Sequence, residues 1–408
     1  LLLRDLMEQG YLVWWGGKND LVPAQNGFQH ACHIKYELPD RPRRLNLHAQ
    51  PGWRGDPHGD LYYSFYYGRV ERPEDFPAEE PFVYDEEWGW ILGAIEMIEN
   101  RPVDRPLCLY LPLIHPHPPY GVEDPWYSQI QRELLPRRIP APQDWSKKPS
   151  LLKGLWERQQ MQNWSEARWS ELRATYYGMC ARVDAEFGML CEALKRSGIY
   201  DDCAIFFFSD HGDFTGDYGL VEKTQNTFED CLTRAPLIVK PPKEIPVQPG
   251  VRDALVELID FRATVEDLTG LQPAYTHFGR SLLPLIAGQV NEHRDAVFCE
   301  GGRLRLERHC MELESYQGED GLYYPRMSLQ RQDDAGHTKA TMIRTHRYKY
   351  VRRLYETDEL YDLRLDPAEL DNRIADPALE QVRQWMRDRM LTFYLETSDV
   401  VPWKADQR

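Results

Sequence analysis

No stretch of this sequence approaches the ~18 consecutive apolar residues that a membrane-spanning helix needs, so no such helix is expected. Basic residues are in deficit: 49 Lys and Arg face 65 Asp and Glu, for a formal net charge of −16. A broad nucleic-acid or anionic-membrane surface would work against that field, so neither partner class is expected, and any anionic ligand requires a local cationic pocket. The 8 cysteines show neither Cys-x-x-Cys nor zinc-ligand spacing. Several, such as Cys108 and Cys203, sit among apolar residues and read as small reduced core side chains, which leans toward the cytosol. Internal repeats and low-complexity tracts are absent too. There is no Met at position 1, and Leu1-Leu2-Leu3 runs at once into Arg4, Asp5 and Glu8 without the apolar core of a signal peptide. The expectation is a chain that begins inside a longer protein.

What is present is a globular composition, 42% hydrophobic and 28% charged over 408 residues, enough for a large core. Helical and strand patterns alternate. Ile91, Ala94, Ile95 and Ile98 keep helical spacing behind Glu86 and Glu87, and the strand-like run 107–114 follows. Leu172, Tyr176, Cys180, Val183, Phe187, Leu190 and Leu194 predict a long helix that stops at Gly198, followed by an apolar strand over 204–208. A run apolar on both faces suits a central parallel strand covered by helices. Residues 1–9 read as the tail of a helix, 11–15 as a strand, 236–239 as another strand, and Asp260 as the cap of a helix ending at Gly270. The class is therefore α/β, a mostly parallel central sheet with helices on both faces, over 1–290. A smaller C-terminal α+β subdomain with a short antiparallel sheet occupies 291–408, where TMIRTHRYKYV alternates. An insertion over 123–170 carries Trp126, Trp145, Trp156, Trp164 and Trp169, either as aromatic platforms for a substrate or as packing of the insertion onto its own domain.

In open α/β sheets ligands bind beyond the carboxyl ends of the strands. Three apolar runs end in polar groups there: 11–15 in Gly16-Gly17-Lys18-Asn19-Asp20, 107–114 in His115-Pro116-His117, and 203–208 in Ser209-Asp210-His211-Gly212. Asp210 and His211 offer a carboxylate oxygen and an imidazole nitrogen to one divalent cation, or else they satisfy loop amides. His115 and His117, stiffened by flanking prolines, suit a proton donor or anion contact, or serve as hydrogen-bonded loop residues. Lys18 and Lys223, each ordinary as a surface residue, would together with a metal and a histidine neutralise a tetrahedral oxyanion.

These residues, in this order, resemble the sulfatases of the alkaline phosphatase superfamily over nearly the whole chain. YLVWWGGKND at 11–20 is similar to the family's strand and Gly-Lys motif, LYLPLIHPHPPY at 109–120 to its histidine motif, and FFFSDHGDFTGDYGLVEK at 206–223 to its metal and lysine motif. TFEDCLTRAPLIVKPP, GRSLLPLIAG and RTHRYKYVRRLYETDELYDLRLDPAEL are similar to later family segments. The resemblance implies an alkaline phosphatase-like fold in which Asp210 and His211 bind one divalent cation, Ca2+ first, with Mg2+ or Mn2+ in relatives. It also implies that Lys18 and Lys223 contact sulfate oxygens and that His117 touches the sulfate and assists the leaving group. His115 stands beside this substrate-binding set with a looser family pattern and an open role.

Three departures stand out. Asp20 occupies the place of a family histidine. No Cys or Ser begins the C/S-x-P-x-R motif from which the family makes its formylglycine nucleophile, and the Asp-Asp pair that supplies further metal ligands is missing. Asp201-Asp202 precedes its strand and so lies at the wrong edge. The expectation is a sulfatase that lacks its nucleophile segment, inactive as it stands, whose complete form cleaves small-molecule or carbohydrate sulfate esters. The rivals are a phosphomonoester, phosphodiester or phosphonate hydrolase of the same superfamily and a non-catalytic relative that binds anionic glycans.

Overall fold

The computed structural model of the chain describes residues 1–39, 65–72, 82–311, 318, 321, 323–333 and 335–404. They fall into two compact units, one of Leu1–Arg137 with Asn163–Ala204 and one of Arg138–Gln162 with Ile205–Arg408. Residues 123–170 contribute to both.

The first unit opens with α1 (Leu2–Glu8), whose Leu3 and Leu6 are buried, and β1 (Leu12–Trp15), buried at every position. Then come β2 (Ile34–Lys35), β3 (Tyr66–Arg69), α2 (Glu86–Glu99), β4 (Leu107–Tyr110), β5 (Tyr120–Val122) and α3 (Trp126–Gln129). Strands β2, β1 and β4 form a parallel sheet in that order, with Trp14 opposite Ile34 and Trp15 opposite Tyr110. A second parallel pair joins β3 to β5. Helix α2 begins where Asp85 accepts the Trp88 N–H at 2.9 Å, with Glu86 and Glu87 in its first turn as its dipole favours.

After α4 (Ser150–Gln159), which belongs to the second unit, α5 (Glu166–Arg196) returns to the first and packs on α2, α3 and β5. It ends at Gly198, whose φ of 70° suits glycine. Its buried face is not the apolar stripe read from the spacing. Leu172, Thr175, Met179, Arg182, Val183 and Glu186 face inward, while Tyr176, Cys180, Phe187, Leu190 and Leu194 are only partly covered. The helix is turned by about one residue because two charged side chains belong to its interior.

In the second unit β6 (Ile205–Phe208) pairs with β7 (Leu237–Lys240), with α6 (Asp230–Thr233) between them in sequence. The pairing is antiparallel, Phe208 opposite Leu237, because an apolar run reports coverage of its faces and says nothing about strand direction. Helix α7 (Ile259–Thr269) covers β6 through Phe261, whose ring lies 4.9 Å from Phe206 and 5.1 Å from Phe208. Asp260 does not cap α7 but lies one residue inside it. Fully buried, it takes the Arg280 N–H at 2.8 Å and Arg294 Nε at 3.0 Å.

After α8 (Leu283–Ile286) come β8 (Val297–Gly301), α9 (Tyr324–Gln332), β9 (Ala340–Arg344), β10 (Tyr348–Arg353), β11 (Glu359–Asp362) and α10 (Glu380–Thr397). The four strands form an antiparallel sheet, β11-β10-β9-β8, and Met386 and Met390 of α10 pack on its Ile343, Tyr350 and Leu360. Parallel pairs in the first unit and this C-terminal antiparallel sheet give the expected α/β class. The tryptophans of 123–170 pack on neighbours: Trp145 pairs with Trp156 at 5.2 Å, Trp164 with Trp169 at 4.9 Å, and Trp126 stacks on Phe82 at 5.4 Å.

Candidate active site

Two of the polar loops leave adjacent parallel strands. Past the Trp15–Tyr110 pair the ladder continues, with Gly16 N–H donating to Tyr110 O at 3.1 Å and Lys18 N–H to Pro112 O at 3.0 Å. A Cβ on Gly17 would lie 2.4 Å from Pro112 O, and its φ is 118°, so only glycine lets the two loops run this close. Lys35 props the turn from β2: Nζ donates to Gly17 O at 2.7 Å and sits 4.9 Å from the Trp15 ring centre. Burial pushes the Lys35 ammonium below its usual range. Lys18 pairs with Asp20 at 2.6 Å, both side chains being well exposed. Such a pair contributes little, so an anion can take Lys18 over at small cost.

The histidine turn closes through His117 N–H to Ile114 O at 2.8 Å. His117 Nδ1 lies 2.6 Å from Pro118 O. A carbonyl only accepts, so Nδ1 carries the proton and Nε2 is the atom with acid–base capacity. His115 is turned inward: its side chain is 8% exposed, and Nδ1 meets Glu87 Oε1 at 2.7 Å. The other Glu87 oxygen accepts both the Ile114 and His115 N–H groups, the latter at 2.9 Å.

Around them is a buried charged cluster. Arg182, fully buried, reaches Asp85 at 2.7 Å, Glu123 at 3.1 Å and Glu186 at 3.6 Å. Its Nη1 lies 3.3 Å from Nδ1 and 3.2 Å from Nε2 of His115. Burial opposes charge on Glu87, but His115 and then Arg182 outweigh it and hold the carboxyl down to about 2. Glu186 is pushed up to about 10, first by burial, which the Arg182 charge only partly offsets.

In the second unit Asp210 and His211 follow β6. His211 Nδ1 lies 2.7 Å from Gly212 O, so it donates there and turns Nε2 toward Asp210 Oδ2, 3.7 Å away. A metal-binding histidine is normally oriented in this way by a carbonyl on its other nitrogen. Gly212 N–H donates to Leu232 O at 2.7 Å, and a Cβ there would sit 1.9 Å from Cys231 O, so the glycine is required by the approach of α6. Residues 214–222 then make a closed excursion, with Phe214 N–H to Glu222 O at 3.2 Å and Gly216 N–H to Leu220 O at 2.7 Å, which brings Lys223 back beside Asp213. Lys223 Nζ meets the buried Glu222 at 3.0 Å. Asp210 and His211 fit a divalent cation in donor chemistry and orientation. Among the described residues no group of three or more His, Cys, Asp or Glu side chains is placed to hold one.

The structure thus brings Lys18 together with the His115–His117 turn in one unit, and Asp210 and His211 together with Lys223 in the other. Sequence reasoning missed Glu87, Arg182, Glu186 and Lys35. A signal existed for the first: Glu87 continues the stripe of Ile91, Ala94 and Ile98 at steps of four, three and four, and a charge in an apolar stripe marks a buried partner.

A model of the sulfatase family matches residues 2–271. The multifunctional alkaline phosphatase superfamily protein PehA of Trinickia caryophylli is 25% identical over 407 residues, which covers 96% of this chain and 69% of PehA. The choline-sulfatase of Rhizobium meliloti is 27% identical over 303 residues, 72% of this chain and 52% of that protein. Among solved structures, the phosphonate monoester hydrolase of Agrobacterium radiobacter gives a TM-score of 0.67 at 20% identity, over 98% of this chain and 83% of that one, a likeness of fold. The chain belongs to the sulfatase family, within the alkaline phosphatase superfamily of ester-bond hydrolases.

Proposed function

We propose that the protein hydrolyses sulfate monoesters of small molecules or carbohydrates, with Lys18, Lys223 and His117 acting on the ester group and Asp210 and His211 holding one divalent cation, Ca2+ first. The observation that carries this reading is the His117 turn: a histidine whose Nδ1 is committed to a backbone carbonyl at 2.6 Å, on the loop beside the one that bears Lys18. Charge on the non-bridging oxygens persists through sulfuryl transfer, so the lysines stabilise it by position alone, while the departing alkoxide takes the Nε2 proton of a His117 imidazolium and leaves the neutral ring with its Nδ1–H held by Pro118 O. The bound cation would add positive charge at those oxygens. The nucleophile would be a formylglycine, which no C/S-x-P-x-R motif in the 408 residues supplies.

The test is turnover of 4-nitrophenyl sulfate and of an alkyl sulfate by the protein carrying the motif. His117→Ala should reduce kcat on the alkyl ester by roughly 100-fold or more, and much less on the activated ester, whose leaving group needs no proton. Equal losses on both esters would remove His117 as the acid. A second reading is hydrolysis of phosphate or phosphonate esters, in keeping with the description of PehA as a multifunctional alkaline phosphatase superfamily protein. It takes precedence if kcat/KM is higher on the corresponding 4-nitrophenyl phosphate or phosphonate. Retention of a sulfated glycan with no turnover of any ester would instead mark a binding protein.

A further inference from the structure

Glu87 turns both carboxylate oxygens to one turn. Oε2 accepts the N–H groups of Ile114 and His115, and Oε1 pairs with the ring of His115 at 2.7 Å. Arg182 Nη1 stands almost equally far from both ring nitrogens of His115, 3.3 and 3.2 Å, which places the guanidinium nitrogen over the ring face and not in its plane. The same guanidinium joins Asp85, the cap of α2, to Glu123, the residue after β5. The helix that supplies Glu87, the end of β5 and the His115 ring therefore meet on one fully buried arginine. His115, gripped at its edge by Glu87 and on its face by Arg182 and only 8% exposed, has no surface to offer an ester.

We infer that Glu87, His115 and Arg182 are positioning residues that hold the 114–117 turn and so aim His117. This assigns His115 to support of the turn and leaves contact with the ester to His117. The inference rests on the proposed role of His117 but makes claims of its own about geometry. A carboxylate that accepts two successive N–H groups fixes where the turn leaves β4, and the bond from His117 N–H to Ile114 O carries that placement to the working histidine. A displacement of about 1 Å at a reacting group costs roughly 100-fold in rate, so a small loosening here is measurable.

The experiment uses the full chain and two independent readouts. The first is the 15N spectrum of the histidine rings together with amide hydrogen exchange, which needs no substrate. The unaltered protein should show His117 protonated at Nδ1 and slow exchange at the Ile114 and His115 amides, whereas Glu87→Gln should give mixed His117 tautomers. Arg182→Lys, which keeps the charge but loses the fork that joins Asp85, Glu123 and the His115 ring, should do the same to a smaller extent. Rapid exchange at those two amides in the unaltered protein, or an unchanged His117 tautomer in folded Glu87→Gln, overturns the inference. The second readout is turnover of the alkyl sulfate by the protein carrying the nucleophile motif, where Glu87→Gln should lower kcat by roughly 10- to 100-fold while KM stays within about threefold, with a much smaller loss on 4-nitrophenyl sulfate. A kcat like that of the unaltered protein also overturns it. If the unaltered protein turns over no ester at all, the proposed function fails while the ring spectrum still decides the positioning.

Discussion

Glu186 offers the sharpest physical test of the buried cluster. Its side chain is fully buried on α5, and its carboxyl is pushed from the ordinary 4.5 up to about 10, chiefly by desolvation. Between those values the folded chain keeps a proton that the unfolded chain releases, so the contribution of Glu186 to stability is complete below about pH 4.5 and is lost as pH rises toward 10. One proton of difference changes the unfolding free energy by about 1.4 kcal/mol per pH unit, or about 3 kcal/mol between roughly pH 6 and pH 8. Glu186→Gln presents a neutral amide where the native protein presents a neutral acid, and it has nothing to titrate. Urea unfolding of both proteins across that range should therefore show the native chain losing about 3 kcal/mol relative to the variant. Other groups that titrate nearby, such as Glu369 at about 7, are common to both proteins and cancel in the difference. Parallel stability profiles would mean that Glu186 is ionised in the fold, and the account of the cluster would fail. Glu87, held down to about 2, acts with the opposite sign, and its contribution is lost only as pH falls below about 4.5.

Other outcomes follow from single contacts. Gly212→Ala sets a methyl 1.9 Å from a backbone carbonyl that cannot rotate away. It should cost about 1–3 kcal/mol in urea unfolding and weaken the proposed Ca2+ binding at Asp210 and His211 by roughly tenfold in calorimetry, and native-like values for both would show that the loop is free to shift. Lys349 is fully buried on β10, with Asp230 and Glu369 each at 2.6 Å and Phe228 O at 2.8 Å. Lys349→Met strands the buried Glu369, while Asp230 keeps Arg344 at 2.9 Å, and should cost about 3 kcal/mol, whereas a loss under about 1 kcal/mol would mean that Glu369 is already protonated.

Much of the fold could be read from periodicity because most elements obey it. Helix α2 begins at the expected first-turn acids Glu86 and Glu87, β1 and β6 sit in their apolar runs, and the alternation over 341–351 is the β9–β10 hairpin. The loops bearing Lys18 and His117 could be found because strand ends can be read from the run that precedes them. What could not be read were the charges inside. Periodicity assigns Arg182 and Glu186 to solvent, since a charged side chain is ordinarily solvated, and nothing local announces that Asp85, Glu123 and His115, remote in sequence, will surround Arg182. Strand direction was equally hidden: the apolarity of 236–239 says that β7 is covered, while its antiparallel pairing depends on the path of the chain between 209 and 236.

The environment of Trp15 has a use beyond chemistry. Its indole N–H donates to Lys18 O at 3.2 Å, and a half-buried ammonium, Lys35 Nζ, lies 4.9 Å from its ring. An indole excited state is polarised, so its emission energy depends on a fixed charge that close. An anion that draws the Lys18 side chain from Asp20 should shift this emission, because the carbonyl of the same residue holds the indole N–H. Subtracting the spectrum of a Trp15→Phe protein isolates this one chromophore among 12 tryptophans. The molecule thus carries its own optical gauge of loop occupancy, legible without a label and without turnover.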